Sequence, residues 1–129
     1  MRHLLPEGWP RPKGYANGIE ADGRQVFVAG MIGWNEAGEF ADGFGAQLAQ
    51  ALENTVAVLK EAGAGPEHIV RMTWYVTDLD AYRNDLAAIG AAYRDVMGKN
   101  FPAMAVVGVT GLVEKDALIE IESTAVIKR

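Results

Sequence analysis

The chain contains no cysteine, which excludes thiol redox chemistry, disulfide stapling and thiolate metal sites. Histidine is scarce as well. His3 and His68 stand far apart with no metal-ligand pattern near either, so no metal is expected. No apolar run approaches the roughly 20 residues of a membrane span. The opening MRHLLPEGWPRP is broken by prolines too early to read as a secretory leader. The formal net charge is −5 and the basic residues are scattered. That balance argues against a broad nucleic-acid surface, which needs clustered Lys and Arg. The motifs GxxxxGK[ST], GxGxxG after a strand, and GxSxG are all missing. The expectation is a cytoplasmic protein that meets small molecules rather than nucleic acid or membrane.

What remains is enough for one domain spanning residues 1–129. Half of the residues are hydrophobic and 22% are charged, an ordinary globular balance, and a chain of this length buries a core without staples. Residues 1–14, with three prolines and two glycines, read as an irregular arm. GIEADGRQVFVAGMIGW predicts two short strands, Ile19 to Ala21 and Val26 to Ala29, around an Asp22-Gly23 turn. Gly30 and Gly33 mark bends or close approaches. ADGFGAQLAQALENTVAVLKEAGAG is a helix with Asp42 as N-cap, an apolar stripe of Leu48, Leu52, Thr55, Val56 and Leu59, and Gly63 as its stop. In EHIVRMTWYVTD, alternation puts Val70, Met72, Trp74 and Val76 on one face of a strand. A second helix follows, capped by Asp78 or Asp80. It buries Tyr82, Leu86, Ile89, Tyr93 and Met97 and stops at Gly98. FPAMAVVGVTGL and DALIEIESTAVIKR are the last strands. The order β-β-α-β-α-β-β is an α+β pattern, with two helices on one face of a mixed sheet.

Two helices cover only one face. In the last strand Ile119, Ile121 and Ala125 form the helix-facing side, and Leu118, Glu120, Glu122 and Thr124 the other. The strand before it is apolar on both sides: Ala103, Ala105, Val107 and Val109 on one, Met104, Val106, Gly108 and Thr110 on the other. The Met104 side is expected to lie uncovered, a patch of a kind seldom left to solvent. Either a second copy covers it or the N-terminal arm does, and the former is preferred.

Among polar residues, Glu120 and Glu122 share one side of a strand, roughly 6–7 Å apart. They suit acid/base work or salt bridges to Arg71, Arg94 or Lys115, and spacing alone favours the salt bridges. Its place within an apolar strand singles out Glu120 as a group that polarises a water. Tyr15, where the arm meets the first strand, either orients a ligand or anchors the arm. Trp34 and Trp74 either line a pocket or fill the core.

Four stretches, in this order and spacing, resemble the RidA (YjgF) family of reactive-intermediate deaminases. They are YANGI, VFVAGMIGW, LENTVAVLKEAGA with RMTWYVTDLDAY, and FPAMAVVGV followed by ALIEIESTAVI. The likeness runs from about Tyr15 to the end of the chain. It implies a chorismate-mutase-like fold and a homotrimer with clefts between subunits. It also implies hydrolysis of small imines or enamines to carbonyl compounds and ammonia without metal or organic cofactor. Glu120 stands where the family's water-positioning glutamate lies, and Tyr15 where its tyrosine does. Backbone near Gly30 and Met31, and the strand at Met104, Ala105 and Val106, line the implied cleft. Three positions depart from the family pattern: Met104 replaces an arginine that holds a substrate carboxylate, Gly90 replaces an asparagine, and Val106 replaces a cysteine. A methionine makes no bidentate charged contact. The expected substrate therefore lacks a free carboxylate at the usual position, as in an ester, amide or thioester. A non-catalytic trimer binding a small apolar ligand or a protein partner is the alternative. Endoribonuclease or translation-inhibitor activity is a third reading, which the acidic balance disfavours.

Overall fold

A computed structural model describes the whole chain, residues 1–129. Its main sheet has four strands, β3 (Arg24–Ile32), β4 (Ile69–Val76), β5 (Ala103–Gly108) and β6 (Ile119–Ile127), in the order β3-β6-β4-β5. β6 is antiparallel to both of its neighbours, while β4 and β5 run parallel. A parallel pair needs a crossover. Here it is α2 (Leu79–Arg83) followed by α3 (Leu86–Met97). With α1 (Phe44–Glu61) these helices cover one face, and α1 packs along α3, β3 and β6. The architecture is α+β with a mixed sheet, as the sequence pattern implies.

The stripe of α1 behaves as its spacing predicts. Leu48, Leu52, Thr55 and Leu59 are fully buried, and Thr55 donates its hydroxyl to the Ala51 carbonyl at 2.9 Å, so no polar group is stranded. Each such leucine contributes about 1.5–3 kcal/mol by leaving water. The expected Asp42 cap does not form. Gly43 is the N-cap, at φ 91°, and no side chain bonds the first turn. At the second helix Asp78 does cap, accepting from the amides of Asp80 and Ala81. The single helix expected there is interrupted at Asn84–Asp85, and Leu86, beside the break, is exposed. Ile89, Tyr93 and Met97 are buried as predicted.

Two features differ from expectation, one in the first third of the chain and one in β4. Ile19–Glu20 (β2) does not form a hairpin with β3. It pairs instead with Arg2–His3 (β1), so the arm is tied down at its start. Gly23 carries the chain from β2 to β3 at φ 155°. A Cβ there would lie 2.2 Å from the Ile127 carbonyl oxygen, so only glycine permits this approach to β6. In β4, Met72, Trp74 and Val76 point to the helices, but Ile69 rather than Val70 is buried below them. A bulge between Ile69 and Arg71 inserts one residue opposite β6 and shifts the alternation.

The assignment of faces in β5 is reversed. Met104 lies opposite Met72 and Val106 opposite Trp74, and directly paired residues share a side. Met104 and Val106 therefore pack against the helix-covered core, while Ala105 and Val107 are exposed on the open face. Both sets are apolar, so alternation shows that β5 has two sides without showing which side meets the helices. The open face still lacks cover: Phe27 is 72% exposed and Val107 38%. None of residues 1–18 lines the depression that Phe27, Thr73, Tyr75 and Val107 share, so the arm does not fill it. No helix is long and apolar enough to cross a membrane.

Candidate functional site

A pocket of about 620 Å³ opens between α3 and the β4–β5 edge, and a second of about the same volume lies on the open face. The sheet contributes Trp74, Met104 and Val106, α3 contributes Ile89, Gly90 and Arg94, and the arm contributes Lys13 and Tyr15. Tyr93 and Phe101 add a stacked pair, ring centres 5.5 Å apart. The arm reaches this edge because the Ala16 amide donates to the Pro102 carbonyl at 2.9 Å, and Ala16 bridges Ala103 in parallel. Backbone, not the tyrosine ring, anchors the arm. Tyr15 is left 43% exposed at the pocket, beside Met104.

Gly90 lies inside α3, at a cost of about 1 kcal/mol relative to alanine. Its missing side chain leaves room for a neighbour: a Cβ built on it would stand 3.2 Å from Nη1 of Arg94. Helical side chains lean toward the N-terminus, so Arg94 folds back one turn over Gly90. Tyr93 donates its phenol to the Asn100 carbonyl, and burial pushes that phenol well above the ordinary tyrosine range. Trp74 is buried in the wall with no acceptor for its indole N–H.

Glu120 lies on the other face. It pairs with Tyr75 of β4 and Ile32 of β3, and its carboxyl group rests against Gly30, where a Cβ would come within 2.7 Å of Cδ. Any side chain at position 30 would displace it. Beside it, Tyr75 donates to Glu122 at 2.6 Å. That hydrogen bond raises the Tyr75 pKa above the usual value, with desolvation and the charges of Glu122 and Glu120 adding and a Thr73 hydrogen bond opposing. Glu122 is thus engaged by a phenol rather than by an arginine. The backbone leading to Glu120 is held by Gln47 of α1. Its Nε2 donates to the Asp116 carbonyl at 3.0 Å and its Oε1 accepts the Leu118 amide at 2.8 Å. One turn pair further along α1, Asn54 donates to the carbonyls of Ile32 and Trp34.

The candidate residues thus fall into two groups. Tyr15, Met104, Val106 and Gly90 line the pocket under α3. Glu120 and Gly30 meet on the open face, and Ala105 is exposed on that same side. Met31 follows Gly30 but packs its side chain into the core. Trp34 packs at a tilt against Phe40, ring centres 5.5 Å apart, outside both groups. No cluster of three His, Cys, Asp or Glu side chains is arranged to hold a metal. Sequence reading overlooked Gln47, Asn54, Lys13 and the pocket-lining role of Arg94. For Arg94 a signal was present, since Gly90 and Arg94 are four apart on one helix face.

A family profile described as Endoribonuclease L-PSP matches residues 10–127. A RutC family protein of Aquifex aeolicus is 37% identical over 128 residues, covering 98% of this chain and 99% of its own length. The chain belongs to the RidA (YjgF) family. A solved Rid-family protein of Yersinia pestis, itself of unknown function, superposes on this RidA-family chain with a TM-score of 0.82 at 34% identity, covering 98% of both. A 2-iminobutanoate/2-iminopropanoate deaminase of Escherichia coli is 35% identical over 116 residues, 87% of this chain and 86% of its own. The mixed sheet backed by helices on one face is the fold of these RidA relatives.

Proposed function

We propose that this RidA-family chain hydrolyses a small reactive imine or enamine, without metal or organic cofactor, in a cleft between copies of itself. The observation that carries the reading is the division of the candidate residues. Glu120 against Gly30 is on the open face, and Tyr15, Met104 and Val106 are at the helix-side edge of β5. One chain does not bring the two groups together. Seating the open face of one copy against the β5 edge of the next would join them, and it would also cover Phe27 and Val107. A homotrimer closes such head-to-tail contacts with three equivalent clefts.

An enamine first gains a proton on carbon to become the protonated imine. In the cleft the Glu120 carboxylate takes a proton from water as the water oxygen attacks the carbon of the protonated imine, giving a neutral carbinolamine. Glu120 returns that proton to nitrogen and takes the hydroxyl proton as the C–N bond breaks, so a carbonyl compound and ammonia leave, the ammonia carrying the proton away as ammonium. Backbone amides near Gly30 and Val106 steady the developing charge, and the exposed Tyr15 phenol orients the ligand. Met104 offers no cation, so the reactive carbon does not carry a carboxylate gripped from that position. Esters, amides and thioesters at that carbon fit.

The test is ammonia release from imines generated in situ by an amine oxidase, comparing wild type with Glu120→Gln. A loss of about 10²- to 10⁴-fold is expected. Equal rates would remove Glu120 from the mechanism. Absence of turnover in both proteins would favour the second reading, a trimer that only binds its ligand, which the apolar residues at positions 104 and 106 support. Cleavage of RNA has less support, given the net charge of −5 and the carboxylates of Glu120 and Glu122 on the open face.

A further inference from the structure

We propose that the pocket beneath α3 takes a ligand with an apolar body and a carboxylate, and that Arg94 holds the carboxylate. The proposal deepens the deaminase reading, on which its catalytic meaning rests. It places the substrate's negative charge at the helix side of the cleft, away from the reactive carbon.

The charged side chains of the pocket are all of one sign. Its walls carry Arg94, Lys13 and three phenols, but no Asp or Glu. A pocket of about 620 Å³ is of the size that encloses small organic ligands. Arg94 has no intramolecular claim on it: the three ion pairs in the chain are Arg2–Glu20, His68–Glu67 and Arg83–Asp80. An arginine near a helix C-terminus has a simpler role available, complementing the terminal carbonyls. Arg94 does not take that direction. Its guanidinium lies back over Gly90, one turn toward the N-terminus, in the space that a side chain at 90 would contest. An arginine there presents a planar pair of donors suited to a carboxylate, with Met104, Val106 and the aromatic rings left for the apolar body.

Calorimetric titration with 3-phenylpropionate and its neutral isostere 3-phenylpropionamide tests this directly. Wild type is expected to prefer the acid by about tenfold or more, the usual worth of a charge-assisted hydrogen bond. The preference should shrink as salt rises. Arg94→Gln should erase the preference without shifting thermal unfolding, since Arg94 is exposed and unpaired. Equal binding of acid and amide by wild type, an undiminished preference in Arg94→Gln, or no binding of either probe would each overturn the proposal. The two ideas fail on different measurements: the catalytic reading fails on ammonia release by Glu120→Gln, and this proposal fails on the acid-against-amide preference of Arg94→Gln.

Discussion

On the helix side, the sheet presents Met72, Trp74, Val76, Ile119 and Ile121, all buried within one chain. On the other side Phe27, Tyr75, Ala105 and Val107 stand without cover, around a Tyr75–Glu122 hydrogen bond. The two faces are drawn from the same strands and, in β5, from the same kinds of residue. They differ in what completes them. The helix side is finished by α1 and α3 except for the pocket where α3 stands away from β5. The open side combines exposed apolar residues at Phe27, Ala105 and Val107 with the carboxylates of Glu120 and Glu122, and under the proposed function a second copy completes it.

The sharpest way to break this contrast is to charge the open face. Under the proposed assembly, Phe27→Asp should give monomers, since it removes about 1.5–3 kcal/mol of apolar burial per copy and adds a buried charge. Analytical ultracentrifugation measures this, with far-UV circular dichroism to confirm folding. An unchanged mass would mean that the open face is not the interface.

A smaller effect is expected on the covered side from Tyr93→Phe. Losing the hydrogen bond to the Asn100 carbonyl should cost about 0.5–1.5 kcal/mol in urea unfolding. Burial raises the folded-state pKa of this phenol, so the neutral form is the one that folding favours. That contribution is fully present below the unfolded value of about 10 and is lost as pH rises beyond it. Wild type should therefore lose stability above that pH more steeply than Tyr93→Phe. Parallel curves would show that the phenol does not couple to folding.

The smallest effect probes the pocket itself. Gly90→Ala should stabilise α3 by about 0.5–1 kcal/mol through helix propensity. Because its Cβ would crowd Arg94 at 3.2 Å, the same change should weaken the preference for a carboxylate probe. A stabilised variant with intact preference would show that the guanidinium does not depend on the empty space at 90.

Much of this arrangement is legible in the residues. The period of α1, the inward Met72, Trp74 and Val76 of β4 and the last strand's division into an apolar and a carboxylate side all follow from spacing, because helix and strand periodicities are local. The resemblance in four stretches points to the fold that the relatives share. Arg94 was harder to see, since its interest lies in where a flexible side chain rests rather than in a motif. Gln47 was hidden for another reason: its two hydrogen bonds reach residues 116 and 118, far along the chain. The bulge at Ile69–Arg71 also arises only when β4 meets β6.

Sequence by itself determined the α+β class, the two long helices and the presence of an apolar strand with two usable sides. Those properties depend on local periodicity and on the hydrophobic content of each segment. Tertiary structure alone decided that Met104 and Val106 lie beneath α3 while Ala105 and Val107 face outward. That choice is made by the parallel register with β4, which seats Met104 beside Met72 and Val106 beside Trp74. A shift of one residue would exchange the faces without changing a single local preference.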